Sequence, residues 1–452
     1  MFKKTALSTA LLCAFAAAMP AHADEIADLK AEIAAQKQAA AAQKARLDAL
    51  EQRLNGVMQQ QAAAPAAPAA ARPATASGAT TDGVSYAQGK GLSVNTMGAN
   101  LSLYGLIDVS YLRVNHADAQ NDTFTGPRVA WFSGNRWGVT GKRPMGDTGL
   151  NVIFRLEAEY ESQTGNDDTP GTTFNRDSWV GVESAKFGKL TLGRQNAIAR
   201  DPIASAIYGD PYGPAAPSLE EGGYSNNNNF KQLIFYAGSA TGTRINNGVV
   251  WKKAFDNGLY VGAQYQFGGI AGDFSNGTTE TVSVAYAGGA YNVAGFVTQA
   301  KVAALTNHTI SFGGNYTFGI VRLNAGYFHY TAQQGALGAL GDRTDDAYTI
   351  SAKFSPAGAL TYEIGYQDMK ADHAAVNGGG NVLNAFANAS GATAVATGNR
   401  TTLYGSVFYH FDKITEVYFA SDYLKLKDGY KFGATNGFQN QTEMAVGLRT
   451  RF

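Results

Sequence analysis

The chain has little cysteine, proline or charge. Its 452 residues include one cysteine and 12 prolines, and charged residues make up only 16%, against about 25% in ordinary soluble domains. Basic and acidic side chains number 36 each, which excludes a nucleic-acid binder that acts through bulk positive charge. In contrast, 53 Gly, 23 Tyr and 24 Phe are typical of a β-rich protein.

The first residues have the pattern of a secretory signal peptide. Lys3 and Lys4 precede an apolar run over residues 6–19, and Ala21-His22-Ala23 fits the small-residue cleavage rule. Residues 1–23 are therefore predicted to be removed, together with Cys13, the only cysteine. The mature chain then has no disulfide, cysteine-based metal site or thiol nucleophile. No later stretch is long and apolar enough to be a transmembrane helix.

Residues 24–61 are rich in Ala, Gln, Glu, Lys and Leu and fit a heptad repeat. Ile26, Ile33, Leu47 and Leu54 occupy a positions, while Gln36, Ala40 and Gln43 weaken the middle of the apolar seam. The pattern predicts a coiled-coil oligomerisation segment, with a lone solvated helix as the alternative, and it leaves the number of strands open. Residues 62–100 are predicted to be an Ala/Pro- and Gly-rich linker.

Residues 101–452 alternate with period 2 in about sixteen segments. Short turns near 146, 187, 257, 289, 319, 357 and 413 alternate with long polar loops at 115–127, 196–243, 268–278, 333–344, 372–398 and 428–437. Short turns at one end and long loops at the other are typical of an outer-membrane barrel, in which every backbone hydrogen bond is satisfied. The predicted fold class is all-β: an antiparallel transmembrane β-barrel.

The alternation also assigns the charged side chains to one face. Arg155, Glu157 and Glu159 alternate with apolar residues in one segment, and Arg136 and Lys142 alternate with Trp137 and Val139 in another. An arginine on lipid at mid-membrane costs roughly 2–4 kcal/mol, so this face should line a water-filled lumen. Asp108 is assigned to the same lining.

Six motifs resemble the general porins of Gram-negative outer membranes, especially the β-proteobacterial branch. They begin at Ser102 (SLYGLID), Asn135 (NRWGVTG), Gly149 (GLNVIFRLE), Phe174 (FNRDSWVG), Leu192 (LGRQ) and Gly447 (GLRTRF), in the family's order. The resemblance implies sixteen strands, a homotrimer and a third loop folded into the lumen. It also implies contact with outer-membrane lipid and lipopolysaccharide, and a terminal aromatic, Phe452, that serves as a signal to the barrel-assembly machinery.

The resemblance further implies a pore constriction in which wall arginines face acidic residues of the third loop. Arg136, Arg176 and Arg244 match the motif positions; Arg155 is an addition, and Lys252 shares the parity of Arg244. The loop is expected over residues 196–243, with Asp210, Glu220 and Glu221 as the opposing acids. Arg194 lies on the apolar parity and is expected to anchor a loop or a neighbouring subunit.

The leading functional prediction is passive diffusion of small hydrophilic solutes with a modest anion preference. A channel that prefers small carboxylates or dicarboxylates is the alternative, and the heptad segment resembles the periplasmic extensions of certain trimeric dicarboxylate channels. An outer-membrane enzyme and a cell-wall tether are less favoured. No catalytic residue, metal site or cofactor is expected, because none of the six histidines has nucleophile or metal-ligand spacing: His22, His116, His308, His329, His373 and His410.

Overall fold

The computed structural model describes residues 83–118, 120–129, 131–201, 236–377, 382–383, 391–430 and 438–452. All of them belong to one compact unit, Gly78–Phe452. The signal peptide and heptad segment lie outside the described residues, as do Asp210, Glu220 and Glu221. In the ranges given, no helix has both the length and the apolar character needed to cross a membrane.

The described residues form nineteen strands and one 3-10 turn at Ala336–Gly338. The strands are β1 (Gly83–Ala87), β2 (Gly91–Thr96), β3 (Ala99–Val114), β4 (Phe124–Val129), β5 (Arg136–Pro144), β6 (Asn151–Glu159), β7 (Asp177–Ser184), β8 (Gly188–Asn196), β9 (Arg244–Ala254), β10 (Leu259–Gln266), β11 (Thr279–Ala287), β12 (Tyr291–Val302), β13 (Leu305–Phe318), β14 (Val321–Gln333), β15 (Asp342–Phe354), β16 (Leu360–Ala375), β17 (Val395–His410), β18 (Thr415–Asp428) and β19 (Asn440–Arg451).

Sixteen of these strands close into an antiparallel barrel. β3 pairs with β5, each strand from β5 to β18 pairs with the next one along the chain, and β19 returns to pair with β3. Closure leaves this ring without an open edge, as a membrane requires. The predicted sixteen-stranded barrel is therefore confirmed.

The barrel is apolar outside and polar inside. On β13, Ile310 is 52% exposed and Phe312 61% exposed, while Thr309 and Ser311, which alternate with them, are buried. Aromatic side chains are also exposed beside the short turns, at Phe187, Phe255, Tyr291, Phe318 and Phe411. Such a girdle marks the boundary of the apolar band in transmembrane barrels.

Short turns lie at one end of the barrel, as predicted, and the long loops lie at the other. One connection at the long-loop end was not predicted to be short. β12 and β13 are joined by only Ala303 and Ala304, both with positive φ, the geometry that a tight two-residue hairpin requires. The 160–176 connection at the same end was also absent from the predicted loops.

The C-terminal part of the expected linker is ordered as a hairpin. β1 pairs with β2, and β2 pairs with β3 through Leu92↔Leu103 to Thr96↔Ala99. Gly89 and Gly91, at φ +72° and +81°, make the turn, and Val84, Tyr86, Leu92 and Val94 supply a short alternation that Gly and polar neighbours obscure.

The barrel closes next to the carboxyl terminus. Phe452 and Gly105 exchange two backbone hydrogen bonds of 3.0 Å, and the Phe452 ring occupies the space that a Cβ at position 105 would need. The ring faces outward and is 40% exposed. Gly105 is thus required for the terminal aromatic to pack against the closing strand.

Candidate functional site

Arg155 and Arg176 lie at the centre of a charged cluster on the inner wall. Arg176, immediately before β7, binds Glu157 through Nε at 2.6 Å and also pairs with Glu159. Arg155 on β6 pairs with Glu157, and its Nε is 3.1 Å from Asp177 Oδ2. Within the described residues, the carboxylates that hold these two arginines therefore come from the barrel wall.

Two further arginines join the same group. Arg136 opens β5 with its Cα opposite that of Glu159, and its charge interacts with that of Glu157. The Arg244 guanidinium lies 4.0 Å from Glu159. We call the following seven residues the arginine cluster: Arg136, Arg155, Arg176, Arg244, Glu157, Glu159 and Asp177.

Tyr104, which the sequence analysis missed, links the cluster to β3. Its hydroxyl donates to Glu157 Oε2 at 2.7 Å and accepts from Arg155 Nε at 2.6 Å. Gly138 makes room for it, since a Cβ there would lie 2.6 Å from the Tyr104 hydroxyl oxygen. The signal was available, because Tyr104 shares the inward parity of Ser102 and Asp108.

A β-bulge changes the expected relation between Arg244 and Lys252. Gly193 pairs with Gly248, but Gln195 pairs with Ile245, so β9 carries one extra residue around Asn247, whose φ is +50°. The parity changes there, and fully buried Ile245 occupies the inward position that alternation alone would not give it. Arg244 reaches Glu159 from the end of the strand, whereas Lys252 faces inward from its regular part.

The described start of loop three runs along the inner wall. Ile198 N–H donates to Gln264 Oε1 of β10 at 2.6 Å. Asp201 accepts from the Tyr260 hydroxyl at 2.9 Å and pairs with Lys252. These contacts are with inward-facing side chains, so the loop enters the lumen from its first residues.

The described end of the same loop is attached to β13 and β15. The Tyr236 hydroxyl donates to Asp345 Oδ2 at 2.6 Å, and its carbonyl accepts from Thr309 Oγ1 at 2.7 Å. Asp345 is itself paired with Arg343 at 2.6 Å. Burial, with Asp345 alongside, raises the pKa of the Tyr236 phenol well above its usual value, so this hydroxyl remains a donor.

A second charged group lies on the same side of the lumen as the arginine cluster, next to the short turns. Lys142 is 2.7 Å from Glu183, and Lys252 pairs with Asp201. Lys189 lies between them on β8, with its ammonium 3.9 Å from the centre of the Trp179 ring. We call these residues, which border a cavity of about 790 Å³, the lysine vestibule: Lys142, Lys189, Lys252, Glu183 and Asp201.

The remaining predicted residues have structural contacts. Asp108 faces inward but is fully buried, accepting from the backbone of Phe132 and Ser133 and from the Tyr418 hydroxyl. It fixes the segment before β5 and offers nothing to a solute. Arg194 lies on the outward parity and donates to the Asn175 carbonyl at 2.7 Å and to Asn246.

No group of acidic, histidine or cysteine side chains with the arrangement of a metal site occurs in the described part of the chain. The arrangement that does occur is a wet, closed tube with fixed charges on its wall. Such an arrangement can select and orient permeating solutes.

Comparisons with known proteins give the same assignment. The family model described as Gram-negative porin matches residues 62–429. An outer membrane porin protein of Bordetella pertussis is 27% identical over 395 residues, covering 78% of this chain and 94% of that protein.

Two solved structures share the fold. The anion-selective porin from Comamonas acidovorans has a TM-score of 0.57 at 21% identity, and the trimer form of OmpT from Vibrio cholerae has 0.52 at 16%. Each alignment covers 78% of this chain and 100% of the other chain. The resemblance inferred from the six motifs is confirmed: the chain belongs to the Gram-negative porin family and is a non-enzymatic channel of the outer membrane.

Proposed function

We propose that the channel mediates passive diffusion of small hydrophilic solutes and ions with a modest preference for anions. The observation that carries this proposal is the arginine cluster, in which four guanidinium groups meet three carboxylates. The described wall side of the passage therefore has one more positive than negative charge, and such a surface favours anions along that wall without excluding cations. The Comamonas relative of the same fold is described as anion-selective, which agrees with this proposal.

Loop three is the proposed opposite side of the constriction. Its described start is hydrogen-bonded to β10 and its described end to β15. Asp210, Glu220 and Glu221 lie in the part between them and remain the proposed acids that face the arginines. Opposed charges of this kind would create a transverse field that orients water and dipolar solutes.

The reversal potential in a KCl gradient tests the anion preference. Wild-type channels should have a reversal potential whose sign shows that chloride permeates faster than potassium. Arg155→Gln should move this potential toward zero or reverse its sign, because one inward positive charge is lost. Arg113→Gln is the matched control, since Arg113 points outward from β3 and is exposed. A silent wild-type protein, cation selectivity, or an equal shift in both variants would overturn the proposal.

We also infer a homotrimer. The heptad seam of residues 24–61 would be costly to expose without partner helices, and one structure of the same fold is described as a trimer form.

Arg194 is the proposed anchor between the 160–176 loop and β9. Phe452, outward-facing at the closing strand, is the proposed recognition signal for barrel assembly, and the outward apolar band is the proposed contact with lipid and lipopolysaccharide.

A further inference from the structure

The lysine vestibule contains one lysine, Lys189, that makes no direct ion pair with a carboxylate of the described residues. Lys142 has Glu183 and Lys252 has Asp201, but no described carboxylate lies within ion-pair distance of Lys189. Glu183 is opposite Lys189 in register, yet its carboxylate is bound to Lys142. The Lys189 ammonium instead lies over the Trp179 ring.

Lys189 also faces a like charge. Its Cα is paired directly with that of Lys252 across β8 and β9. Arg155 also repels it from two strands away, while Glu183 and Asp177 attract it without touching it. Like charges directly opposite one another in a sheet are destabilising. An anion bound between them would relieve this repulsion, so the arrangement favours an anionic ligand over an empty site.

The cavity has the size and polarity for a hydrated organic acid. Its volume of about 790 Å³ greatly exceeds that of one small inorganic ion, and the neutral polar residues Asn151, Ser184 and Tyr260 also line it. Lys189 and Lys252 both line it. A ligand with two carboxylates can meet both at once, whereas a monocarboxylate meets one.

We propose that the lysine vestibule is a binding site for small dicarboxylates, on the short-turn side of the constriction, with Lys189 as its principal contact. The site rests on the proposed anion preference and deepens it, because it holds a permeating dianion before or after the arginine cluster. Lys252 supplies the second positive centre while keeping its contact with Asp201 at the start of loop three.

Current block by succinate, compared with butyrate at equal ionic strength, tests this site. The two acids have four carbons each and differ in one carboxylate. In wild-type channels succinate should reduce the KCl current in a saturable way, at concentrations at least five times lower than butyrate. Lys189→Gln should raise the succinate concentration for half block at least fivefold, and Lys189→Arg should retain most of the effect.

Lys353→Gln is the matched control, since Lys353 is an inward lysine near the short-turn end of β15, paired with Glu363 and remote from the vestibule; it should leave the block unchanged. Open-channel current in each variant shows that the barrel has folded. The dicarboxylate site would be overturned, and the proposed function left standing, if the wild type were anion-selective but showed no block by succinate. The same conclusion would follow if succinate blocked Lys189→Gln and Lys353→Gln equally. A cation-selective wild type would overturn the proposed function itself.

Discussion

Arg155 and Arg176 are the same residue type with different environments. Arg176 is 4% exposed and holds two carboxylates, whereas the Arg155 side chain is 35% exposed and faces the vestibule cavity. A buried charge is costly unless it is paired. Arg176 is therefore expected to contribute chiefly to folding and Arg155 chiefly to permeation.

Replacing Arg176 with Gln should destabilise the barrel by about 3–5 kcal/mol, because it leaves two carboxylates of the inner wall short of a partner. Urea unfolding in detergent, followed by tryptophan fluorescence, would measure this loss. Arg155→Gln is the control, since Glu157 then keeps Arg176, and its loss should be clearly smaller. Equal unfolding midpoints for the two variants would contradict this division of roles.

The inward direction of Arg136, Arg155 and Lys142 could be predicted from the sequence, because period-2 alternation fixes the face of a strand residue. Their ion-pair partners could not be predicted in this way. Whether Arg176 meets Glu157 depends on the register between β6 and β7 and on how far two flexible side chains reach. Counting residues places Lys252 on the same face as Arg244, and the bulge between them invalidates that count.

At the level of elements, loop three is held at both described ends but by different chemistry. Its start is fixed to β9 and β10 through Asp201 and Ile198, and its end to β13 and β15 through the Tyr236 hydroxyl and carbonyl. Contacts between a loop and distant strands have no local sequence signal. The short turns do have a local sequence signal, because glycines with positive φ recur in them, as at Gly146 and Gly289.

Tyr236→Phe should loosen the end of loop three, because a hydrogen bond to a carboxylate contributes about 1.5–3 kcal/mol. The expected result is a noisier open-channel current, with a shifted mean conductance, in single-channel recordings. Tyr327→Phe is the matched control: its hydroxyl also donates to a carboxylate, Asp346 at 2.5 Å, but on the outer face of β14. Indistinguishable recordings from the two variants would argue against Tyr236 as an anchor of the loop.

The whole molecule follows from mostly local pairings. Every pairing in the ring except that of β19 with β3 joins ring strands that follow one another in chain order. Alternating turns and loops predict such a meander, which is why the barrel could be predicted from the sequence. The β1–β2 hairpin could not, because five- and six-residue strands among glycines give too short a pattern.

Barrel closure requires none of residues 24–61, since the seam is formed by β3 and β19 alone. Deleting these residues should therefore leave the conductance of each pore unchanged while lowering the temperature at which trimers dissociate on semi-native gels. Leu47→Gln with Leu54→Gln at a positions should reproduce this loss, and Ala42→Gln with Ala49→Gln at c positions should not. The segment would instead be assigned to tethering if trimers of both double variants were equally heat-stable and if the deletion abolished binding to purified cell walls.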